Sequence, residues 1–156
     1  MGIKVIEKPE MKVVGISWNG PYSELNEITK LFNAMESRLN EVSFQTGESI
    51  MVAPLHIRET ELTYYVTAPV DRIENIPEGM VGFSIPQKNY VFATHVGRLE
   101  EVENTYSRIF EWMKDYGYEL DEQALSLQIY KPEHKEENAA GKLHFEILLP
   151  VKCYKY

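Results

Sequence analysis

The sequence predicts an α+β fold in which one β-α-β-β module occurs twice. Two segments have the 3.6-residue period of amphipathic helices, and six short runs are rich in β-branched and aromatic residues. The two halves of the chain also repeat the same order of elements. We therefore expect a mainly antiparallel sheet with the two long helices on one face and a pseudo-twofold axis relating the halves.

Apolar side chains recur at helical spacing in both helical segments. The first segment follows Gly20-Pro21-Tyr22, with Ser23 as the expected N-cap, and its stripe is Leu25, Ile28, Leu31, Phe32, Met35, Leu39 and Val42. The second segment runs from about residue 100 to 116, ends at Gly117 as the expected C-cap, and has a stripe of Val102, Tyr106, Ile109, Met113 and Tyr116.

The strand-like runs support an internal repeat. They cover residues 12–18, 52–58, 62–70, 90–96, 126–130 and 143–151. The strand and helix around Gly20 match those around Gly97 at an offset of 77 residues, and Pro69 matches Pro150 at an offset of 81. Residues 55–58 resemble 127–130, and a short extended piece is expected within 71–88. We expect one domain over residues 1–156, with half-repeats of about 1–70 and 83–152.

Composition excludes several classes of function. The 156 residues carry 16 basic and 24 acidic side chains, a formal charge of −8, which argues against a surface that neutralises nucleic-acid phosphates. The sequence contains no apolar run of about 18 residues, so it predicts no membrane span. The N-terminal residues have no apolar signal core, so a cytoplasmic location is expected. Cys153 is expected to be a surface or edge-strand thiol, with a nucleophile as the alternative.

Side-chain alternation along the strands predicts a candidate binding surface. If Phe145, Ile147 and Leu149, together with Leu127 and Ile129, face the core, the opposite face carries Tyr65, Thr67, His56, Arg58, Gln128, Tyr130, His144 and Glu146. Aromatic side chains with a few polar groups suit a small-molecule cleft. The alternative is the wet face of a half-exposed sheet that binds nothing. Trp112 has helical core spacing and serves either in packing or in ligand contact.

Other site chemistries have little support in the sequence. The four histidines, His56, His95, His134 and His144, show no metal-ligand spacing, so no metal is expected. A Gly-x-Ser-x-Gly elbow and a glycine-rich phosphate loop are both missing from the sequence. We expect no cofactor.

Several motifs together resemble a known family. They are Val13-Val14-Gly15-Ile16 with Gly20-Pro21-Tyr22, Ile76-Pro77-Glu78-Gly79-Met80 with Ile85-Pro86, residues 90–97, residues 105–113 with Gly117-Tyr118, Gln128-Ile129-Tyr130, and Leu149-Pro150-Val151-Lys152. In this order they resemble the GyrI-like small-molecule-binding domain, which is also the effector-binding part of multidrug-responsive transcription activators of the MerR and AraC types. The resemblance covers roughly residues 4–152.

The resemblance implies an aromatic pocket for planar or cationic hydrophobic compounds. Family members usually have an acidic residue two positions before the tyrosine of a Glu-x-Tyr motif, and this chain has Gln128 there, before Tyr130. A neutral amide offers no ion pair, and Glu146 on the neighbouring strand could supply the charge instead. The ligand-binding residues that we expect are Gln128, Tyr130, Glu146, Tyr65, His56 and Trp112.

The resemblance leaves three roles open. The first is a stand-alone binding protein that captures hydrophobic aromatic compounds and has no direct contact with nucleic acid or membrane. The second is a hydrolase that opens strained cyclopropane rings, with Glu146 as the base that activates water and with Tyr130, Tyr65 and Trp112 holding the substrate. The third is an acidic module that binds a protein partner such as DNA gyrase.

Overall fold

The computed structural model of the protein describes residues 2–24 and 26–152. Leu25, expected on the first helical stripe, and Cys153, expected to be a surface thiol, lie outside the described residues. The chain divides into two compact units. The first-half unit contains residues 10–86, and the second-half unit contains residues 2–9 together with 87–152 as its described part.

The elements follow the predicted alternation of strands and helices. In chain order they are β1 (Lys4–Lys8), β2 (Met11–Pro21), α1 (Glu27–Arg38), β3 (Met51–Ile57), β4 (Glu61–Val70), β5 (Val81–Ile85), β6 (Lys88–Gly97), α2 (Val102–Tyr116), β7 (Ser126–Tyr130), α3 (Lys135–Ala139) and β8 (Leu143–Pro150). Short 3-10 turns cover Tyr22–Glu24, Leu39–Glu41, Leu99–Glu101 and Pro132–His134.

The first-half unit has a four-stranded antiparallel sheet in the order β3-β4-β2-β5. Helix α1 lies on the face that carries Tyr64, whose ring centroid is 6.1 Å from that of Phe32. Met35 of α1 is fully buried, as are Val66 of β4 and Ala68 on the same face. The amphipathic stripe of α1 therefore covers one side of this sheet.

The second-half unit has a four-stranded antiparallel sheet in the order β7-β8-β6-β1. Helix α2 packs on it, and their shared core consists of Val91, Ala93, Ile109, Met113, Phe145, Ile147, Leu149 and Val151. Alternate residues of β6 and β8 supply this core because successive side chains of a strand point to opposite faces. We call this side of the sheet the α2 face.

The strand orders confirm the mixed α+β fold and the repeat of one module. In each unit the helix follows the strand β2 or β6, and a hairpin, β3-β4 or β7-β8, completes the module. Each module also has an edge strand, β5 beside β2 and β1 beside β6. The sequence predicts an extended piece at β5 but misses β1. The pseudo-twofold axis and the single domain over residues 1–156 remain predictions.

Local details of the helices differ from expectation. Helix α1 begins at Glu27, after an N-cap at Asn26, and not after Ser23, because Tyr22–Glu24 forms a separate 3-10 turn. The connection between β7 and β8, residues 131–142, contains a 3-10 turn and helix α3; Pro132 favours that start because its φ angle suits a first helical turn. Gly117 is the C-cap of α2 as predicted, with a left-handed φ of 77°. Among the described residues, the helices are too short and polar to cross a lipid bilayer.

Candidate functional site

The pairing of β7 with β8 determines which side chains share a face. Gln128 lies opposite Ile147, and Ile129 lies opposite Glu146. Directly paired residues point to the same side of a sheet, and Ile147 belongs to the core under α2. Gln128 and Tyr130 therefore point to the α2 face, whereas Glu146 points away from it. The prediction that these three side chains share one face is wrong.

The error lies in the alignment of β7 with β3, its counterpart in the other half of the repeat. Leu55 pairs with Tyr64 in β3-β4. Continuing the β7-β8 ladder by one residue places Tyr130 opposite Phe145. Tyr64 in the first half corresponds to Phe145 in the second, at an offset of 81 residues. The partner of Tyr64, Leu55, therefore corresponds to the partner of Phe145, Tyr130, at an offset of 75. The sequence comparison had instead aligned Leu55 with Leu127, at an offset of 72. A shift of three residues, an odd number, exchanges the two faces of a strand.

Gln128 joins two tyrosines through its side-chain amide. The Tyr130 hydroxyl donates a hydrogen bond to Oε1 of Gln128 at 3.0 Å, and Nε2 of Gln128 donates to the hydroxyl oxygen of Tyr106 at 2.8 Å. Tyr106 comes from α2, so the chain of hydrogen bonds connects the helix to the sheet. The Tyr130 ring stacks on Phe145, with centroids 5.0 Å apart and planes 26° apart. We call Tyr106, Gln128, Tyr130 and Phe145 the tyrosine–glutamine cluster.

The tyrosine–glutamine cluster is electrically neutral. Gln128 is 8% exposed. Burial raises the pKa of the Tyr106 hydroxyl to about 12, although the hydrogen bond from Gln128 opposes that shift. Tyr106 therefore stays protonated at neutral pH. The cluster offers flat rings and hydrogen-bonding groups but no charge.

Trp112 lies in a second group of aromatic rings in the same unit. Its ring is parallel to that of Tyr118, with centroids 5.6 Å apart, and its centroid is 4.6 Å from that of Tyr116. Trp112 is half-buried and packs against the core under α2. Packing is thus one role of Trp112, and its contact with a ligand remains a prediction.

His56 and Tyr65 belong to the first-half unit. Tyr65 packs edge-on against Phe83 with ring centroids 5.0 Å apart, and Arg58 Nε donates to Nδ1 of His56 at 3.4 Å. Because Tyr64 faces α1, Tyr65 points to the other side of that sheet, and the pairing of His56 with Thr63 places His56 on that side too. Their ligand-binding roles remain predictions.

Glu146 lies in a different environment from Gln128. Its carboxylate forms an ion pair with Lys131 at 3.2 Å. It also lines a pocket of about 200 Å³ with Thr94, Ile129, Lys131, His134, His144 and Phe145. The expected role of Glu146, to supply the charge that Gln128 lacks, would require it on the α2 face, and it is not there.

Sequence reasoning missed two members of this region. Tyr106 and Phe145 were assigned only to core stripes, yet Tyr106 accepts the hydrogen bond from Gln128. His95 is also buried on the α2 face: its Nε2 lies 3.3 Å from the Arg98 carbonyl oxygen and its Nδ1 lies 2.7 Å from Thr105 Oγ1. A carbonyl oxygen only accepts, so Nε2 of His95 carries a proton. The feature of the sequence that could have revealed this site is the polar hydroxyl of Tyr106 at a position of the apolar helical stripe.

Several solved structures have the same fold as this chain. The chain superposes on SAV2435 bound to tetraphenylphosphonium with a TM-score of 0.73 at 14% identity, covering 97% of this chain and 94% of that one. The EcmrR C-terminal domain gives a TM-score of 0.76 at 17% identity and 98% coverage of both chains. A hydrolase from Listeria innocua gives 0.60 at 15% identity, covering 96% and 91%. These likenesses show the fold.

The family assignment comes from the sequence itself. No curated protein matches the chain at a significant level. The family model of the GyrI-like small molecule binding domain matches residues 1–152, which is nearly the full length. The chain belongs to the GyrI-like small-molecule-binding domain family.

Proposed function

We propose that this protein captures hydrophobic aromatic compounds in the cytoplasm and that its tyrosine–glutamine cluster contacts them. The observation that carries the proposal is the hydrogen-bonded chain Tyr130–Gln128–Tyr106 beside the ring of Phe145. It combines flat apolar surfaces with a small number of oriented polar groups, which is the usual composition of a small-molecule site.

The absence of charge in the cluster is the basis for the ligand class that we propose. Tyrosine rings stack on planar molecules and attract cations through their faces, which contributes roughly 0.5–2 kcal/mol per contact. Gln128 adds a hydrogen bond but no ion pair. We therefore propose planar aromatic ligands, neutral or polar, as the preferred class, with hydrophobic cations bound more weakly.

The solved structures support, by analogy, the broader class of hydrophobic aromatic ligands. SAV2435 binds tetraphenylphosphonium, a hydrophobic cation with four aromatic rings. The EcmrR domain belongs to a protein that was solved in a complex with DNA. Both share the fold at 14–17% identity. The transfer of ligand binding to this chain is our proposal.

The ring-opening alternative has less support. It requires Glu146 to activate water while Tyr130 holds the substrate, and these two side chains point to opposite faces of the sheet. The geometry therefore favours binding over hydrolysis at this place.

The test is a titration with planar dyes and with tetraphenylphosphonium, followed by tyrosine and tryptophan fluorescence. Tyr130→Ala should weaken binding by about tenfold or more, because it removes both the stacked ring and the hydrogen bond to Gln128. Tyr22→Ala is the matched control, since Tyr22 lies in the first-half unit with its hydroxyl on the Arg58 carbonyl. The proposal is wrong if no compound of a varied panel binds below about millimolar, or if Tyr130→Ala binds as the unchanged protein does.

Ionic strength separates this proposal from the protein-interaction alternative. An acidic surface that binds a basic partner such as gyrase should lose affinity steeply as salt rises, because salt screens exposed charges. Binding of a neutral planar dye should change little between low and high salt. A steep salt dependence for the dyes would contradict the cluster as their site.

A further inference from the structure

We propose that His134, Glu137 and His144 form a binding site for a divalent transition-metal ion such as Zn²⁺. The three residues lie at or near the segment between β7 and β8. In the first-half unit the corresponding connection, between β3 and β4, is three residues long, whereas residues 131–142 of the second-half unit include a 3-10 turn and α3. The site is thus a feature of one half of the repeat.

The ligand atoms are already close together. Nδ1 of His144 is 3.4 Å from one Glu137 carboxylate oxygen, and Nδ1 of His134 is 3.8 Å from the other. One ligand atom from each of the three residues lies within 4.8 Å of the others. In a tetrahedral zinc site with bonds of about 2.0–2.1 Å, ligand atoms are separated by about 3.4 Å. The nitrogen–oxygen distances are therefore close to those of a bound site, and the two imidazole rings must turn so that their nitrogen lone pairs, which lie in the ring planes, point to one ion.

The side chain of Asn138 holds both histidine backbones. Its Oδ1 accepts a hydrogen bond from the His144 N–H at 2.8 Å, and its Nδ2 donates to the His134 carbonyl at 2.9 Å and to the His144 carbonyl at 3.4 Å. The segment that carries His134 is thereby fixed against strand β8. The backbones of the two histidines are thus positioned before any ion arrives, which lowers the cost of assembling a metal site.

The histidine nitrogens support an ion at this position. Nδ1 of His134 is buried and has no hydrogen-bond partner among the described residues, an arrangement that costs free energy unless something binds it. The two imidazole rings are stacked with centroids 3.4 Å apart and planes 16° apart.

The three side chains are partly exposed to solvent, although Nδ1 of His134 is itself buried. The side chains of His134 and His144 are 21% and 25% exposed, and that of Glu137 is 44% exposed. Both histidines line the pocket of about 200 Å³ that also contains Glu146. Three protein ligands leave at least one coordination position for water on that side. Imidazole and carboxylate ligands suit zinc, nickel and copper better than magnesium or calcium.

The site is separate from the tyrosine–glutamine cluster. His144 and Phe145 are consecutive in β8, and Phe145 points to the α2 face, so His144 points to the opposite face. The proposal therefore stands independently of the ligand-binding function, and each can fail without the other.

The test is calorimetric titration of the tag-free full chain with Zn²⁺. We expect one equivalent to bind with a dissociation constant below about 10 μM. Glu137→Gln and His144→Ala should each weaken binding by more than about tenfold, because each removes one of three ligands. Glu137 is partly exposed and the Gln change conserves its shape, so this variant should keep the fold, and circular dichroism checks it.

Two variants are controls. His56→Ala removes a histidine of the first-half unit, and Cys153→Ser removes the thiol near the C-terminus; both should bind Zn²⁺ as the unchanged protein does. Absorption of bound Co²⁺ gives a second readout, since nitrogen and oxygen ligands produce visible bands without the strong thiolate charge-transfer band. The proposal is overturned if binding is not saturable, if Glu137→Gln and His144→Ala leave it unchanged, or if Cys153→Ser abolishes it.

Discussion

Gln128 and Tyr130 point to the same face of β7, and the hydroxyl of Tyr130 donates to the amide oxygen of Gln128 at 3.0 Å. Residues two apart in a strand lie side by side on one face, so this contact follows from the strand itself. The amide nitrogen is thereby directed to Tyr106 on α2. One neutral side chain thus orders two phenols, and its replacement by an acid should change what the cluster binds.

The first prediction concerns Gln128→Glu. A carboxylate at this position can accept hydrogen bonds from both tyrosine hydroxyls, which favours its charged form, and a buried negative charge beside aromatic faces attracts a cation. We expect tetraphenylphosphonium to bind about tenfold or more tightly, with no gain for neutral planar dyes. Fluorescence titration of both compounds measures the difference.

The matched control for Gln128→Glu is Glu146→Gln. Glu146 points away from the α2 face, so its neutralisation should leave tetraphenylphosphonium affinity unchanged. If Glu146→Gln weakens cation binding and Gln128→Glu does not strengthen it, the ligand lies on the other side of the sheet. That result would reject the tyrosine–glutamine cluster as the binding site.

Residues 126–130 were predicted as a strand and form β7, but the face to which each of its side chains points could not be predicted from sequence. In β8 only one set of alternate residues, Phe145, Ile147 and Leu149, fits a core face. In β7 the apolar pair Leu127 and Ile129 is itself buried, on the side opposite the α2 face. A rule that places apolar residues on the helix-covered face therefore assigns Leu127 and Ile129 to the α2 face, which is wrong. Only their pairing with β8 shows that they lie on the opposite face.

Two other features could not be predicted from patterns in the sequence. Strand β1 has the sequence Lys-Val-Ile-Glu-Lys, and its charged ends hide its strand character, as is common for edge strands. His134 and His144 are ten residues apart, a spacing that matches no metal motif. They meet because Asn138 fixes the segment between them onto β8, and such tertiary contacts leave no periodic signal.

The second prediction concerns the core under α2. Ile109 is completely buried among Val91, Ala93, Phe145 and other apolar side chains. Ile109→Ala should lower the free energy of unfolding by about 2–5 kcal/mol, through lost burial and the cavity that remains. Urea denaturation measures this change. Leu99→Ala is the control: Leu99 is 72% exposed, so a loss of similar size there would contradict a core position for Ile109.

The third prediction concerns acid stability. Lys88 lies 2.7 Å from Asp121, and the hydrogen bond from Lys88 lowers the pKa of the Asp121 carboxyl. A carboxyl with a lowered pKa stabilises the folded state above its unfolded pKa, and this stability is lost as pH falls through the folded pKa. Asp121→Asn should cost about 0.5–1 kcal/mol at pH 7 and little at strongly acidic pH.

Urea denaturation at neutral and at acidic pH measures that difference. The control is Glu27→Gln, which breaks the exposed pair between Glu27 and Lys30 at 3.1 Å. An exposed pair of this kind contributes little, so Glu27→Gln should change stability by less than about 0.5 kcal/mol at either pH. An equal loss for Asp121→Asn at both pH values would show that the ion pair is not its cause.

The fourth prediction uses the raised pKa of Tyr106, about 12 because of burial. An unfolded tyrosine ionises near pH 10, so the unfolded chain loses its proton first, and stability falls as pH rises from about 10 to about 12. Tyr106→Phe removes this ionisation. At neutral pH it should lower stability by about 1–3 kcal/mol, because the Gln128 amide loses its acceptor.

The difference between Tyr106→Phe and the unchanged protein should therefore shrink as the solution becomes more alkaline. Urea denaturation at neutral pH and above pH 10 follows it, and Tyr90→Phe provides the comparison because burial raises the pKa of Tyr90 to about 12 as well. Tyr90→Phe should reduce the loss of folding stability at alkaline pH without affecting dye binding. If Tyr106→Phe and Tyr90→Phe have the same effect on dye binding, the hydrogen bond from Gln128 to Tyr106 does not order the binding site.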